Sequence, residues 1–206
     1  MILVDKISLK YDNQPLFDKL SFSVPDTTMV SIIGESGKGK TTLLNLLAGF
    51  EIVESGNILY DNIELNSKNL SKIRQKIAWL PQNFNVPFDT VEELFFSVFE
   101  LKINKSYKPS STSIENIFDK LALDITLLKK NIDEISGGQK QRIILASLLL
   151  TQKKYFLLDE PTSALDSFSA QKLINVLKES DKTVLIATHD DFVVKNSDTT
   201  INLDVL

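Results

Sequence analysis

Cysteine is absent from the 206 residues. That excludes disulfides, thiolate-bound zinc, iron–sulfur clusters and thiol nucleophiles. A single histidine, His189, excludes multi-histidine metal sites and histidine relays. No apolar run approaches the roughly 18–20 residues that a membrane span needs. The opening residues Met1 to Lys6 lack the charged start and long apolar stretch of a secretory leader. Together these absences predict a soluble, cytoplasmic protein. Basic excess is lacking too: 23 Lys and Arg face 27 Asp and Glu, for a net charge of −4. That argues against a broad nucleic-acid surface, and no nucleic-acid partner is expected. Hydrophobic residues at 43% and charged residues at 24% are ordinary for a globular chain, which argues against wholesale disorder. The length suits one domain, 1–206, or one domain with an insert.

The two ends of the chain read as strands alternating with helices. Ile2, Val4, Ile7 and Leu9 form one apolar run, Phe22 and Val24 another, and Asp12-Asn13-Gln14-Pro15 reads as the turn between them. Met29 to Ile33 is a continuous strand ending at Gly34. After a glycine-bearing loop, Thr41 to Ala48 carries leucines at helical spacing, with Gly49 as its stop. Tyr155 to Leu158, Thr183 to Thr188 and Thr200 to Val205 read as strands, and Ser167 to Ser180 as a helix. Between the ends lie a short strand, Ile77 to Leu80, and then helices alone: Val91 to Ile103, Ile114 to Leu123, and a third from Ser136 to about Gln152. The serine-rich stretch Ser106 to Ser113 reads as a loop. The pattern predicts a parallel α/β core with a helical insert.

Gly34-Glu35-Ser36-Gly37-Lys38-Gly39-Lys40-Thr41 fits G-x-x-x-x-G-K-[ST]. Glycines let such a loop wrap an anion with backbone N–H groups, and the helix that follows adds its positive dipole end. Lys40 reaches the β- and γ-phosphates in this motif, and the Thr41 hydroxyl ligates Mg²⁺. Further on, the apolar run Tyr155 to Leu158 ends in Asp159 and Glu160. Ligand sites in parallel sheets lie at the carboxyl ends of strands, which sets both acids beside the phosphate loop. Asp159 suits the Mg²⁺ shell. Glu160 suits a general base for an attacking water.

Ile135-Ser136-Gly137-Gly138-Gln139-Lys140-Gln141-Arg142 places two glycines just inside a helix. Glycines there are costly, and they make sense where the backbone must approach an anion. Ser136 to Gln139 also has the form of an ordinary capping box. Together with the phosphate loop and the acid pair, this stretch resembles the nucleotide-binding subunit of an ATP-binding cassette (ABC) transporter. The family signature is usually Leu-Ser-Gly-Gly-Gln, with Ile135 here in place of Leu.

The resemblance covers essentially the whole chain. It implies a P-loop NTPase core with a mainly parallel sheet, an N-terminal antiparallel β subdomain and a helical insert at roughly 83–150. It implies that ATP is held by Gly34, Glu35, Ser36, Gly37, Lys38, Gly39, Lys40, Thr41 and Thr42, with Tyr11 stacked on adenine. Gln82 resembles the loop glutamine that joins Thr41 and Asp159 at Mg²⁺ and senses the membrane partner. Ser136, Gly138 and Gln139 resemble the residues that meet the nucleotide of the opposite subunit, and Ser163 to Asp166 the loop that crosses to it. His189 resembles the switch histidine at the γ-phosphate and joins Glu160 and Lys40 as the catalytic set. The implied partners are a second ATPase subunit, as homodimer or heterodimer, and a separate permease. The implied location is peripheral, on the inner face of the cell membrane.

Two departures from the family pattern stand out. Lys38 adds a positive charge inside the phosphate loop, and Ser147 replaces an arginine that many members carry. The alternative reading is an ABC ATPase acting on DNA or ribosomes. Such proteins carry a long coiled-coil insertion or two cassettes, and neither fits this length. Five of the 12 phenylalanines lie together: Phe84, Phe88, Phe95, Phe96 and Phe99. Their position after Gln82 predicts that one or two stand well exposed in the isolated subunit, beside a groove for the permease.

Overall fold

Alternation in the first two strands and unbroken apolar runs in the later ones produce two kinds of sheet. The computed structural model describes residues 1–11, 14–83 and 87–205. In chain order the elements are β1 (Ile2–Tyr11), β2 (Gln14–Val24), β3 (Met29–Ile33), α1 (Lys40–Ala48), β4 (Ser55–Tyr60), β5 (Ile63–Glu64), α2 (Leu70–Arg74) and β6 (Ile77–Leu80). Then follow α3 (Val91–Glu100), α4 (Ser111–Lys120), α5 (Gly137–Leu149), β7 (Tyr155–Asp159), α6 (Ser167–Glu179), β8 (Thr183–Ala187), α7 (Asp191–Asn196) and β9 (Thr199–Asn202). The chain divides into two compact units. One comprises 1–81, 154–160 and 180–206; the other comprises 82–153 and 161–179.

The first unit holds both sheets. One is antiparallel, in the order β2-β1-β4-β5; the other has the order β6-β7-β8-β3-β9, and its paired strands run parallel. This is the α/β P-loop fold that the sequence implies. Every residue of β7 and β8 is buried, as strands covered on both faces require. Leu43, Leu44, Leu46 and Leu47 of α1 are fully buried in the same core as Tyr60, Tyr155 and Leu185. The Tyr60 hydroxyl donates to the Leu47 carbonyl at 2.8 Å. Arg74 donates to the carbonyls of Ala48 and Gly49, satisfying acceptors that a helix end leaves open.

The hairpin of β4 and β5 and the short helices α2 and α7 are absent from the sequence reading. Asp61 and Asn62 turn the hairpin with φ of 50° and 62°, a left-handed pair that fits a tight turn without any glycine. Of the turn expected between the first two strands, Asp12 and Asn13 lie outside the described residues, while Gln14 and Pro15 open β2.

In the second unit α5 packs on α3 and α4. α3 ends at Glu100, three residues before the expected Ile103, because Leu101 turns to extended backbone. α4 begins at Ser111 rather than Ile114: the Ser110 hydroxyl caps it by accepting from the Ser113 N–H. The serines that read as loop are cap signals. The expectation of exposed phenylalanines does not hold among the described residues. Phe95 and Phe99 are fully buried, Phe88 and Phe96 are partly buried, and Phe84 lies outside the described residues. Phe95 meets Phe96 and Phe118 edge to face, with centroids 5.0 and 5.4 Å apart. The α4 ring thus closes the cluster from within the chain. The exposed large apolar residues are others, among them Phe50, Ile52, Leu101 and Phe168.

Candidate functional site

Because β3, β7 and β8 run parallel, their carboxyl ends share one edge of the sheet. The loop 34–39 leaves β3 there and enters α1. Gly39 caps α1 in the left-handed region, at φ 90°. A Cβ on it would meet the Phe17 ring at 2.9 Å. Conformation and space therefore both demand glycine. Glu35, Ser36, Gly37 and Lys38 are exposed along the loop, Gly34 and Gly39 are half-buried, and the Lys38 charge faces solvent. The Lys40 ammonium crosses the loop and donates to the carbonyls of Gly34 at 2.7 Å and Glu35 at 3.2 Å. Thr42 sits in the first turn of α1.

The second strand end is joined to this loop directly. The Thr41 hydroxyl donates to Asp159 Oδ2 at 2.7 Å. Asp159 is buried, and burial pushes its carboxyl above the usual carboxylate range. The Thr41 hydrogen bond opposes that shift, the Glu160 charge adds to it, and Lys40 opposes it. The pairing of a hydroxyl and a carboxylate is a hard-oxygen donor set.

Glu160 follows with φ 49°, left-handed for a side chain that rarely adopts it. Its N–H donates to the Ala187 carbonyl, the last residue of β8, at 2.9 Å. Two residues beyond β8, His189 Nδ1 lies 2.9 Å from Glu160 Oε1. The Glu160 side chain is 8% exposed and that of His189 77%, so a buried carboxylate holds a ring that faces solvent. The Glu160 hydrogen bond, then its charge, raises the His189 pKa above its ordinary value and favours the imidazolium. A buried acid hydrogen-bonded to a histidine, beside a glycine-bearing loop that opens a helix, can activate water toward an anion.

Tyr11, at the end of β1, is half-exposed and donates its hydroxyl to Glu51. Nothing local in the sequence marks Glu51 as its partner.

The remaining candidates belong to the second unit. Gln82 is its first residue and is exposed. Ser136 Oγ accepts from the Gln139 N–H at 3.1 Å, and Gln139 Oε1 accepts from the Ser136 N–H at 2.8 Å, a complete capping box for α5. The two glycines differ. A Cβ on Gly137 would meet nothing within 4 Å, whereas one on Gly138 would lie 2.5 Å from the Ala164 carbonyl oxygen. The close approach at Gly138 is to the chain's own backbone, a reason that the sequence alone did not supply. Ala164 belongs to Ser163–Asp166, of which only Leu165 is half-buried and the rest exposed. Arg142, also unassigned from sequence, is buried and donates Nη1 to the carbonyls of Leu121 and Ala122 at 2.8 and 2.9 Å. Ser147 is fully buried and donates to the Ile144 carbonyl one turn back, so it is satisfied within its own helix.

A model of the family described as ABC transporter matches residues 17–163. An energy-coupling factor transporter ATP-binding protein, EcfA, of Onion yellows phytoplasma is 33% identical over 99% of this chain and 76% of its own length. A probable ABC transporter ATP-binding protein of Campylobacter jejuni, PEB1C, is 35% identical over 92% of this chain and 81% of its own. Among solved structures, a putative ABC transporter ATP-binding protein from Pyrococcus furiosus superposes with a TM-score of 0.85 at 26% identity, covering 99% of this chain and 98% of that one. A dimeric ATP-binding cassette in a post-hydrolysis state, bound to ADP and Pi, gives 0.80 at 26% identity, over 98% of this chain and 94% of that one.

Proposed function

Because the chain belongs to the ABC transporter family, as an ATP-binding, ATP-hydrolysing subunit, we propose that its own residues divide the work as follows. The loop Gly34 to Thr41 wraps the phosphates, with Lys40 on the β- and γ-phosphates, Thr42 in the helix start below and Tyr11 against the base. Thr41 and Asp159 fit a Mg²⁺ ion: they present adjacent hard oxygens, 2.7 Å apart, one of them on a buried carboxyl group. Among the described residues no group of three or more His, Cys, Asp or Glu could hold a metal. An ion here would take its other ligands from phosphate and water, as Mg²⁺ does readily. Bound there, Mg²⁺ supplies charge neutralisation at the phosphates.

Glu160 takes the proton from the attacking water. The new P–O bond forms at the γ-phosphorus as the bridging P–O bond to ADP breaks. His189 orients Glu160 through Nδ1 and, as imidazolium, offers positive charge to the γ-phosphate. The observation that carries this reading is the 2.7 Å bond from Thr41 to Asp159, which ties the phosphate loop to the strand end that bears Glu160.

The signature residues Ser136, Gly138 and Gln139 complete the site of a second, identical or related subunit, so that two nucleotides lie between two chains. The unobstructed backbone at Gly137 supports this. No described helix is long and apolar enough to cross a membrane. A separate permease would carry the substrate path and hold this subunit at the inner face of the cell membrane.

Glu160→Gln tests the proposal. Turnover of the purified chain should fall on the order of 10²-fold or more, with ATP affinity kept within a few-fold and an ATP-dependent dimer accumulating on a sizing column. Hydrolysis near the wild-type rate would remove Glu160 from the role of base.

A further inference from the structure

Tyr11 is the last residue of β1, and a ring at a strand end has little around it to fix its torsions. Here it is fixed at its far end. Its hydroxyl donates to Glu51 Oε2. The other Glu51 oxygen, Oε1, accepts from Asn45 Nδ2 at 3.3 Å. Asn45 lies on α1, the helix that opens with Lys40 and Thr41. Glu51 is half-buried, just past the Gly49 stop of that helix. Tyr11 as a residue stays 49% exposed, so its hydroxyl is anchored while much of its surface remains open.

We propose that Glu51 is a positioning residue for the nucleotide base. It anchors the Tyr11 hydroxyl to the helix that carries the phosphate loop. The aromatic platform then stands at a fixed place relative to Lys40 and Thr41 before any nucleotide arrives. A ring that is already ordered has less freedom to lose when a base stacks on it, and binding is tighter for that reason. The inference rests on the reading of Tyr11 as the stacking residue.

Calorimetric titration of the full chain with MgATP and with magnesium tripolyphosphate, which has the phosphates but no base, tests both. Glu51→Ala should weaken MgATP binding about three- to tenfold, as loss of a hydrogen-bonded anchor does, without weakening tripolyphosphate. Tyr11→Phe should give a similar loss, and the double variant no more than either alone. Glu51→Gln keeps an oxygen that accepts from Tyr11, and should restore most of the affinity. Equal weakening of ATP and tripolyphosphate by Glu51→Ala would overturn the proposal, because the carboxylate would then be acting on the phosphate loop. So would wild-type ATP affinity in both Glu51→Ala and Tyr11→Phe while Tyr11→Ala binds poorly; in that case stacking stands and anchoring does not. Wild-type ATP affinity in Tyr11→Ala would instead remove the stacking role itself.

Discussion

The two adjacent glycines of α5 offer a controlled contrast, since one meets open space and the other meets backbone. At Gly138 an added Cβ would sit 2.5 Å from the Ala164 carbonyl oxygen and 3.1 Å from Leu165 Cδ2. The oxygen must retreat by most of an ångström, and it belongs to backbone rather than to the far end of a flexible side chain. Overpacking of this kind costs about 1–3 kcal/mol. The helix gains up to about 1 kcal/mol from replacing glycine by alanine, so the net effect of Gly138→Ala is a loss of about 1 kcal/mol or somewhat more. Gly137→Ala has the same helical gain and no steric cost, and should be neutral to stabilising. The two variants should differ by about 2 kcal/mol, or roughly 4–8 °C in melting temperature for a chain of this size. Thermal unfolding of both variants with wild type, followed by circular dichroism under one set of conditions, reads this directly. Activity should move the other way for Gly137→Ala. A methyl on the open backbone obstructs the approach proposed for the second subunit's nucleotide, so ATPase activity falls while stability does not. If Gly138→Ala melts no lower than Gly137→Ala, the close approach to Ala164 does not constrain the protein.

His189→Ala should lower turnover on the order of 10²-fold with ATP affinity within a few-fold, measured by steady-state hydrolysis beside calorimetric binding; equal losses in both would make the histidine structural. Asp61→Asn tests an ion cluster in the first unit, where Asp61 accepts from Lys154 at 2.7 Å, Lys76 at 2.8 Å, the Tyr155 hydroxyl at 2.6 Å and the Met1 amino group at 3.1 Å. Burial pushes the Asp61 pKa up, but these hydrogen bonds outweigh it and hold the carboxyl well below the usual range. A depressed pKa gives stability that is fully present above the unfolded value and is lost as pH falls through the folded one. The gap between wild type and Asp61→Asn, about 1–2 kcal/mol at neutral pH, should therefore be flat from pH 7 to 5 and narrow below about pH 4. A gap that holds constant down to pH 3 in thermal melts would contradict the charge argument.

What the sequence made legible was local. The leucines of α1, the apolar runs of β7 and β8, and the glycine loop each carry their signal within a few neighbouring residues, and each lies within a residue or so of where it was expected. Long-range choices were not legible. Tyr11 and Glu51 lie on different elements, and neither marks the other. Phe95, Phe96 and Phe99 pack on one another, and Phe118 on α4 meets Phe95 edge to face; only packing decides that. The hairpin at Asp61 and Asn62 escaped because its strands are broken by Ser55, Gly56 and Asn57, which depress both alternation and propensity. Gly56 is needed there because a Cβ would lie 2.3 Å from the Lys6 carbonyl oxygen on β1, a constraint set by a strand more than forty residues earlier.

Glu160 shows where a local rule yields to chemistry. A glutamate at φ 49° sits in a region that costs a non-glycine residue about 1–2 kcal/mol. A glycine would relieve that cost and would bring no carboxylate. The alternative, an extended backbone continuing β7, would alternate the side chain to the face opposite Asp159. The left-handed turn instead keeps the N–H on the Ala187 carbonyl, so the backbone stays bonded to β8 while the chain bends. From there Oε1 reaches Nδ1 of His189, two residues past that same carbonyl. One hydrogen bond to the end of β8 therefore fixes the proposed base, and the same strand end delivers its histidine partner. Strain that clusters at such a position is what a functional constraint leaves behind when stability alone would choose otherwise. It falls at the sheet edge where the ends of β7 and β8 bring an acid and a histidine beside the phosphate loop that leaves β3.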